Sequence, residues 1–193
     1  MTTTQRTGPV EAVRAAFSRV RAALPVAAPP TYAVPPDDPR VGWQRRLDRV
    51  RAALEQARVD LVEQGWAQRA WFSVDAGGGT TRLASTRESF GLVGPTSTVA
   101  GACVVGALLR RAEDPDRATS HEDVWGAVDE LYEALHERMG HTSLPPGRVD
   151  SAARRHAKLH VLTAWNDAAT TRREDVLDLL DRAVSRTVVG ACR

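Results

Sequence analysis

Cys103 is the side chain of this chain best suited to nucleophilic chemistry. It is followed in the sequence by His136, His141, His156 and His160, and then by Asn166-Asp167. A thiol, an imidazole and an amide or carboxylate are the working parts of a cysteine-dependent hydrolase or acyl transferase. The thiolate attacks, a histidine (His156 or His160) takes the proton, and Asn166 or Asp167 orients the ring. Such a thiol works best in the first turn of a helix, where unpaired N–H groups lower its pKa. The order of residues is the whole signal, and a chain with five histidines satisfies it readily. The plainer account makes Cys103 a small buried hydrophobe in the apolar run "ACVVGALL", the commonest fate of a free cysteine. That account is preferred.

The other chemical motifs are incomplete. His156 and His160 stand four apart and share a helix face, but "HAKLH" has Ala157 where a metalloprotease helix carries Glu,. With no third ligand signalled, they read as a solvated stripe, and no metal or cofactor is expected. The pairs Arg45-Arg46, Arg110-Arg111, Arg154-Arg155 and Arg172-Arg173 could meet phosphates if pooled on one face,. Neighbouring acids make i,i+4 ion pairing the simpler account. "DAGGGTT" lacks the Gly-Lys-Ser/Thr ending of a phosphate-binding loop and a helix after it, so it reads as a hairpin turn,.

Composition narrows the class. The 193 residues carry a net charge of only +2, with acids interspersed among the arginines, so the basic footprint of a nucleic-acid binder is missing and nucleic acid is not the expected partner,. Lys158 is the one lysine among 26 cations, a bias typical of a GC-rich genome. No stretch has the ~20 apolar residues of a membrane span, and "MTTTQRTGPV" has no apolar core of a signal peptide,. Two cysteines, one of them Cys192 beside the C-terminus, make no disulfide framework, and a reducing cytoplasm is the expected setting,.

The elements that must position these residues are mostly helical. Val10, Val13, Phe17, Val20 and Leu24 recur at helical spacing and end at Pro25,. Six prolines between residues 25 and 40 then enforce an extended arm,. A second helix is predicted from Trp43 to Gln64, with the stripe Leu47, Val50, Leu54, Ala57 and Leu61 and with Gly65 at its C-terminal end,. Residues 69–74 and 80–85 read as a hairpin about Asp75–Gly79. Thr98 to Glu113 reads as a third, apolar helix, whose Gly101 and Gly106 permit close approach of another element. A fourth starts at Ser120, capped with help from Asp123, and carries Val124, Val128, Leu131, Leu135 and Met139 on its buried stripe,. A fifth covers residues 151–165 with Asp150 as cap. A sixth covers residues 172–185, opened by a Thr171–Glu174 capping box,. Asn166-Asp167 falls between the last two, where short polar side chains turn the backbone.

Three of these features recur together. Gly65-Trp66 follows a helix, Cys103-Val104-Val105-Gly106-Ala107-Leu108 follows a hairpin, and Trp165-Asn166-Asp167 precedes a Thr-started helix with Val176. In this combination the chain resembles a family of small actinobacterial and phage-associated proteins known only as a domain of unknown function, over roughly residues 47 to 185. The resemblance implies a compact, mainly helical domain and carries no activity or catalytic residue. The stretch before Cys103 is longer here than in the family pattern, and the N-terminal helix and arm are additions.

The resulting expectation is a mainly α fold, a compact helical domain with one small β-hairpin. Residues 1–24 form an amphipathic helix, 25–41 a proline-rich linker, and 42–190 the domain. The second, third, fifth and sixth helices build the core, and the fourth packs beside them. The expected function is a non-enzymatic accessory or protein-binding module that engages a protein partner or a second copy through residues 10–24. The cysteine-dependent enzyme and a nucleic-acid-binding accessory protein are the alternatives.

Overall fold

The computed structural model describes residues 38–84, 99–112 and 119–191. The predicted helix over residues 10–24 and most of the proline-rich arm lie outside the described residues. The described part belongs to one compact unit that begins at Pro36. Its elements are α1 (Pro39–Glu63), β1 (Phe72–Gly77), β2 (Thr80–Leu83), β3 (Val99–Ala102), α2 (Val104–Ala112), α3 (His121–Arg138), α4 (Ala152–Asn166) and α5 (Arg173–Ala191). The class is mainly α, as expected, with a three-stranded antiparallel sheet in the order β2-β1-β3 where a hairpin was predicted.

α1 starts four residues before its predicted start, inside the stretch assigned to the linker. Asp38 caps it by accepting from the Arg40 N–H, and Pro39 sits in the first turn, where its missing N–H costs nothing,. All five predicted stripe residues are buried. Gly65 follows the C-cap Gln64 with φ +106, a left-handed helix end,.

The hairpin lies about three residues further along β1 than predicted. Gly77 pairs with Thr80, so Gly78-Gly79 form a two-residue turn with φ +62 and +77. That geometry follows the strand twist and suits glycine.

The largest departure is at residues 99–102. They are a strand paired with β1, not the first turn of a helix. A short run of small apolar residues reads equally well as strand or helix, and contacts far away in the sequence decide it here. Ala102 N–H donates to the Gly65 carbonyl and Cys103 N–H to the Trp71 carbonyl. The helix begins only at Val104 and passes so close to β1 that a Cβ on Gly106 would lie 2.2 Å from the Trp71 carbonyl oxygen. Gly106→Ala is therefore expected to destabilise by about 2–3 kcal/mol, through forced separation of α2 from the sheet. Urea denaturation checks this, and a loss no larger than a helix-propensity effect would contradict the packing.

The expected roles of the helices also change. α3 is the central helix: Val124, Ala127, Val128, Leu131, Ala134 and Leu135 are all essentially inaccessible, and α1, α2, α4 and α5 all pack on it. Met139, predicted on this stripe, is the C-cap and half exposed. α4 is peripheral, with Leu162 its one apolar residue in the core. Its N-cap is Ser151, which accepts from the Arg154 N–H; Asp150 is engaged elsewhere. Ser120 caps α3 as predicted, and Asp123 completes a capping box with it, the two being reciprocally bonded.

α5 runs six residues beyond its predicted end. No proline interrupts it, and Gly190 fits against Pro146. Its predicted Thr171–Glu174 box does not form. Thr171 Oγ1 donates to the Trp165 carbonyl, and Asp175 takes the capping place by accepting from the Arg172 N–H.

Candidate functional site

Asn166, at the last turn of α4, is completely buried. Its Oδ1 accepts from the indole N–H of Trp66 at 2.9 Å and from the Val104 N–H at 3.4 Å. Its Nδ2 donates to the Ala67 carbonyl at 3.1 Å and to Asp167 Oδ1 at 2.9 Å. The Asp167 oxygen also accepts from the Arg69 N–H at 2.8 Å, fixing a left-handed residue with φ 67. Gln68 Nε2 donates to the carbonyls of Asn166 and Ala168. The segment after α1 is thus tied across about a hundred residues to the end of α4. The three motifs noted in the sequence, Gly65-Trp66, Cys103–Leu108 and Trp165-Asn166-Asp167, meet in this one junction. Asn166-Asp167 does more than turn the backbone: it joins α1, the sheet, α2 and α4.

Cys103 lies at that junction, immediately before α2, and is 1% exposed. Its sulfur accepts from the Gly106 N–H at 3.2 Å. Burial pushes the thiol up to about 11, with the Asp167 carboxylate adding to the rise against opposing N–H donors. The helix-start position anticipated for a reactive thiol is thus occupied, but desolvation outweighs the backbone dipoles.

His156 and His160 are exposed on α4, and no hydrogen bond or ring contact joins either to Cys103. His156 meets the Trp125 ring edge-on at 5.8 Å. The structure therefore brings Cys103 together with Asn166 and Asp167 and leaves both histidines outside. Trp165 is half-buried against the core, with the Arg138 guanidinium over its ring. Among the described residues no group of three or more His, Cys, Asp or Glu could hold a metal ion.

A second polar centre gave no motif in the sequence. Lys158 of α4 is buried and reaches Asp150 at 2.7 Å and Asp129 and Glu133 at 3.2 Å. Arg155, one turn earlier, binds Asp129 and Glu122. Burial disfavours the Lys158 ammonium, but its bonds to Asp150, Asp129 and Glu133 prevail and hold its pKa above the ordinary 10.5. The hydrogen bond from Lys158 holds Asp150 below the usual carboxylate range, whereas burial raises Asp129 despite its two cationic partners. Across α3, Arg186 of α5 bonds Glu130 and Glu137, and Glu130 also accepts from the Gly147 N–H. The available signal was spacing: Asp129 and Glu133 stand four apart on α3, and Arg155 and Lys158 three apart on α4.

The arginine pairs are largely engaged, mostly between elements and not at i,i+4. Arg46 binds Glu122, Arg110 binds Gln64, and Arg173 donates to the Leu61 and Val62 carbonyls at the end of α1. Arg154 does pair at i,i+4, with Asp150. The side chain of Arg111 lies outside the described ones.

The chain belongs to the family of unknown function DUF6197, whose family model matches residues 45–186. No curated protein and no solved structure matches it. No helix among the described residues is long and apolar enough to cross a membrane.

Proposed function

We propose that this DUF6197 member is a non-enzymatic helical accessory module that engages a protein partner, or a second copy of itself, through residues 10–24. The observation that carries the reading is the state of the Cys103–Asn166 junction. The thiol is inaccessible and its pKa is raised, and every polar atom of the Asn166 amide has a partner within the fold. The residues that a cysteine-dependent hydrolase would need are committed to joining elements, which weighs against that alternative. Engagement of the arginines by acids and carbonyls weighs against the nucleic-acid alternative. The binding half of the reading rests on the stripe Val10, Val13, Phe17, Val20 and Leu24, an apolar face that needs cover,. A reducing cytoplasmic setting, and the actinobacterial or phage origin implied by the three motifs, belong to the same reading; the free, buried Cys103 is compatible with the setting,.

Two measurements test it. Iodoacetamide near neutral pH is expected to leave Cys103 of the folded protein unmodified and to alkylate it once urea unfolds the chain. Modification of the native protein faster than a model thiol would restore the cysteine-enzyme alternative. Light scattering on the full chain, and on a chain lacking residues 1–40, is expected to show loss of self-association or partner binding on deletion. An unchanged monomer with unchanged partner binding would refute the assigned interface.

A further inference from the structure

A cleft of about 390 Å³ opens between the end of α3, the loop after it and α4. Its volume lies in the range of small-molecule sites, ~300–1,000 Å³. The hydrogen-bonding capacity left over on its walls defines the charge of a guest. Its two carboxylates are buried and occupied. Glu133 accepts from Lys158 and from the Leu144 N–H, and Asp150 accepts from Lys158 with Arg148 and Arg154 nearby. Lys158 spends its donors on Asp129, Glu133 and Asp150. The other polar residues of its lining are Arg154, whose side chain is 65% exposed, Thr142, and the Tyr132–His136 pair, hydrogen-bonded at 3.1 Å. In either histidine tautomer that pair keeps one N–H or O–H free. The charged group with donors to spare is thus the Arg154 guanidinium, the hydroxyls and the imidazole being donors and acceptors alike, while Leu144, Ala157 and Val161 supply an apolar wall,.

We infer that this cleft is a binding site for a small carboxylate with an apolar body, its charge on Arg154 and its body against Val161 and the Tyr132 ring. Arg154 is a suitable anchor because a guanidinium matches a carboxylate in shape and keeps donors beyond its 3.6 Å contact with Asp150,. The inference does not depend on the protein-binding reading, since it uses residues of α3, α4 and the loop between them and not residues 10–24.

The single lysine provides the readout. Lysine carrying ¹³C at Cε gives one resonance from the floor of the cleft, and the full chain is titrated with benzoate, benzamide and benzylamine, which share one ring and differ in charge. Benzoate is expected to shift the Lys158 signal saturably, benzamide more weakly, and benzylamine not at all. Arg154→Ala, a change at an exposed position, is expected to weaken benzoate binding by about tenfold, the size of one charge-assisted hydrogen bond. Arg51→Ala, at a residue paired with Asp48 and Glu55 on α1 and outside the cleft's lining, should leave it unchanged. A Lys158 signal that benzoate leaves unmoved, equal response to benzylamine, or unaltered affinity in Arg154→Ala would each overturn the assignment.

Discussion

Replacing Lys158 with methionine is expected to cost the fold about 3–5 kcal/mol, the penalty for removing one partner of a buried ionic cluster. Asp129, Glu133 and Asp150 would then face one another without the ammonium that holds them together. Adding Glu133→Gln to that variant should recover part of the loss, because it removes one of the stranded charges. Lys158→Arg keeps the charge but not the geometry. A planar fork cannot reach three converging carboxylates as a compact ammonium does, and about 1–2 kcal/mol should go. Chemical denaturation measures all three. Near-neutral stability in Lys158→Met would show that the cluster is dispensable.

The same cluster sets the pH response. The folded pKa of Lys158 is raised, so its stabilisation is complete below 10.5 and is lost as the pH climbs through the folded value,. On the acid side, Asp150 and Glu122 are held low, the first by Lys158 and the second by Arg155. Their contribution is present above the ordinary carboxylate pKa and disappears as the pH falls through the lower folded values. Asp129 and Glu130 are raised by burial and act in the opposite sense, since their protonation favours the folded state. Acid unfolding should therefore be shallower than a count of carboxylates suggests, while the alkaline limb should begin with the buried Cys103 thiol, raised from 9.0 to about 11, and continue with loss of the Lys158 contribution,.

Asn166→Asp is the second large effect. The change keeps shape but replaces the donor that serves the Ala67 carbonyl and Asp167 with an acceptor. A carboxylate placed there, fully buried and beside Asp167, is expected to cost about 3 kcal/mol or more at neutral pH. Its folded pKa must be raised, so the deficit exists above that value and shrinks as the pH falls and the introduced group protonates. The variant should thus approach the unmodified protein in melting temperature on acidification. Asn166→Ala should show a comparable loss with no such recovery, because it leaves the Trp66 indole N–H and the Ala67 carbonyl unpaired at every pH,. Parallel pH profiles for the two variants would mean that the amide is not the bridge described.

Much of the fold was legible because helices announce themselves locally. The stripe of α1 and the Ser120 cap of α3 each lie within a few turns of chain, and both formed as read. The errors fell where local signals were equivocal. Residues 99–102 suit strand and helix alike, and pairing with β1 and the Gly65 carbonyl chose the strand. At the start of α5 two acids stood within reach of the cap. The recruitment of Thr171 to the Trp165 carbonyl left that place to Asp175, not Glu174. The candidate site divided in the same way. Cys103 and Asn166-Asp167 were identified from residue type and do meet, whereas the histidines grouped with them by order point elsewhere.

By itself the sequence determined where the main helices run and most of the apolar residues that α1 and α3 bury, because apolar spacing and caps act over one or two turns. The tertiary structure alone decided that the sole lysine is buried among three carboxylates, and that an asparagine links parts of the chain 100 residues apart. The physical reason is that a polar side chain can be buried only where partners arrive to replace water. Those partners come from helices and strands whose meeting no local pattern records.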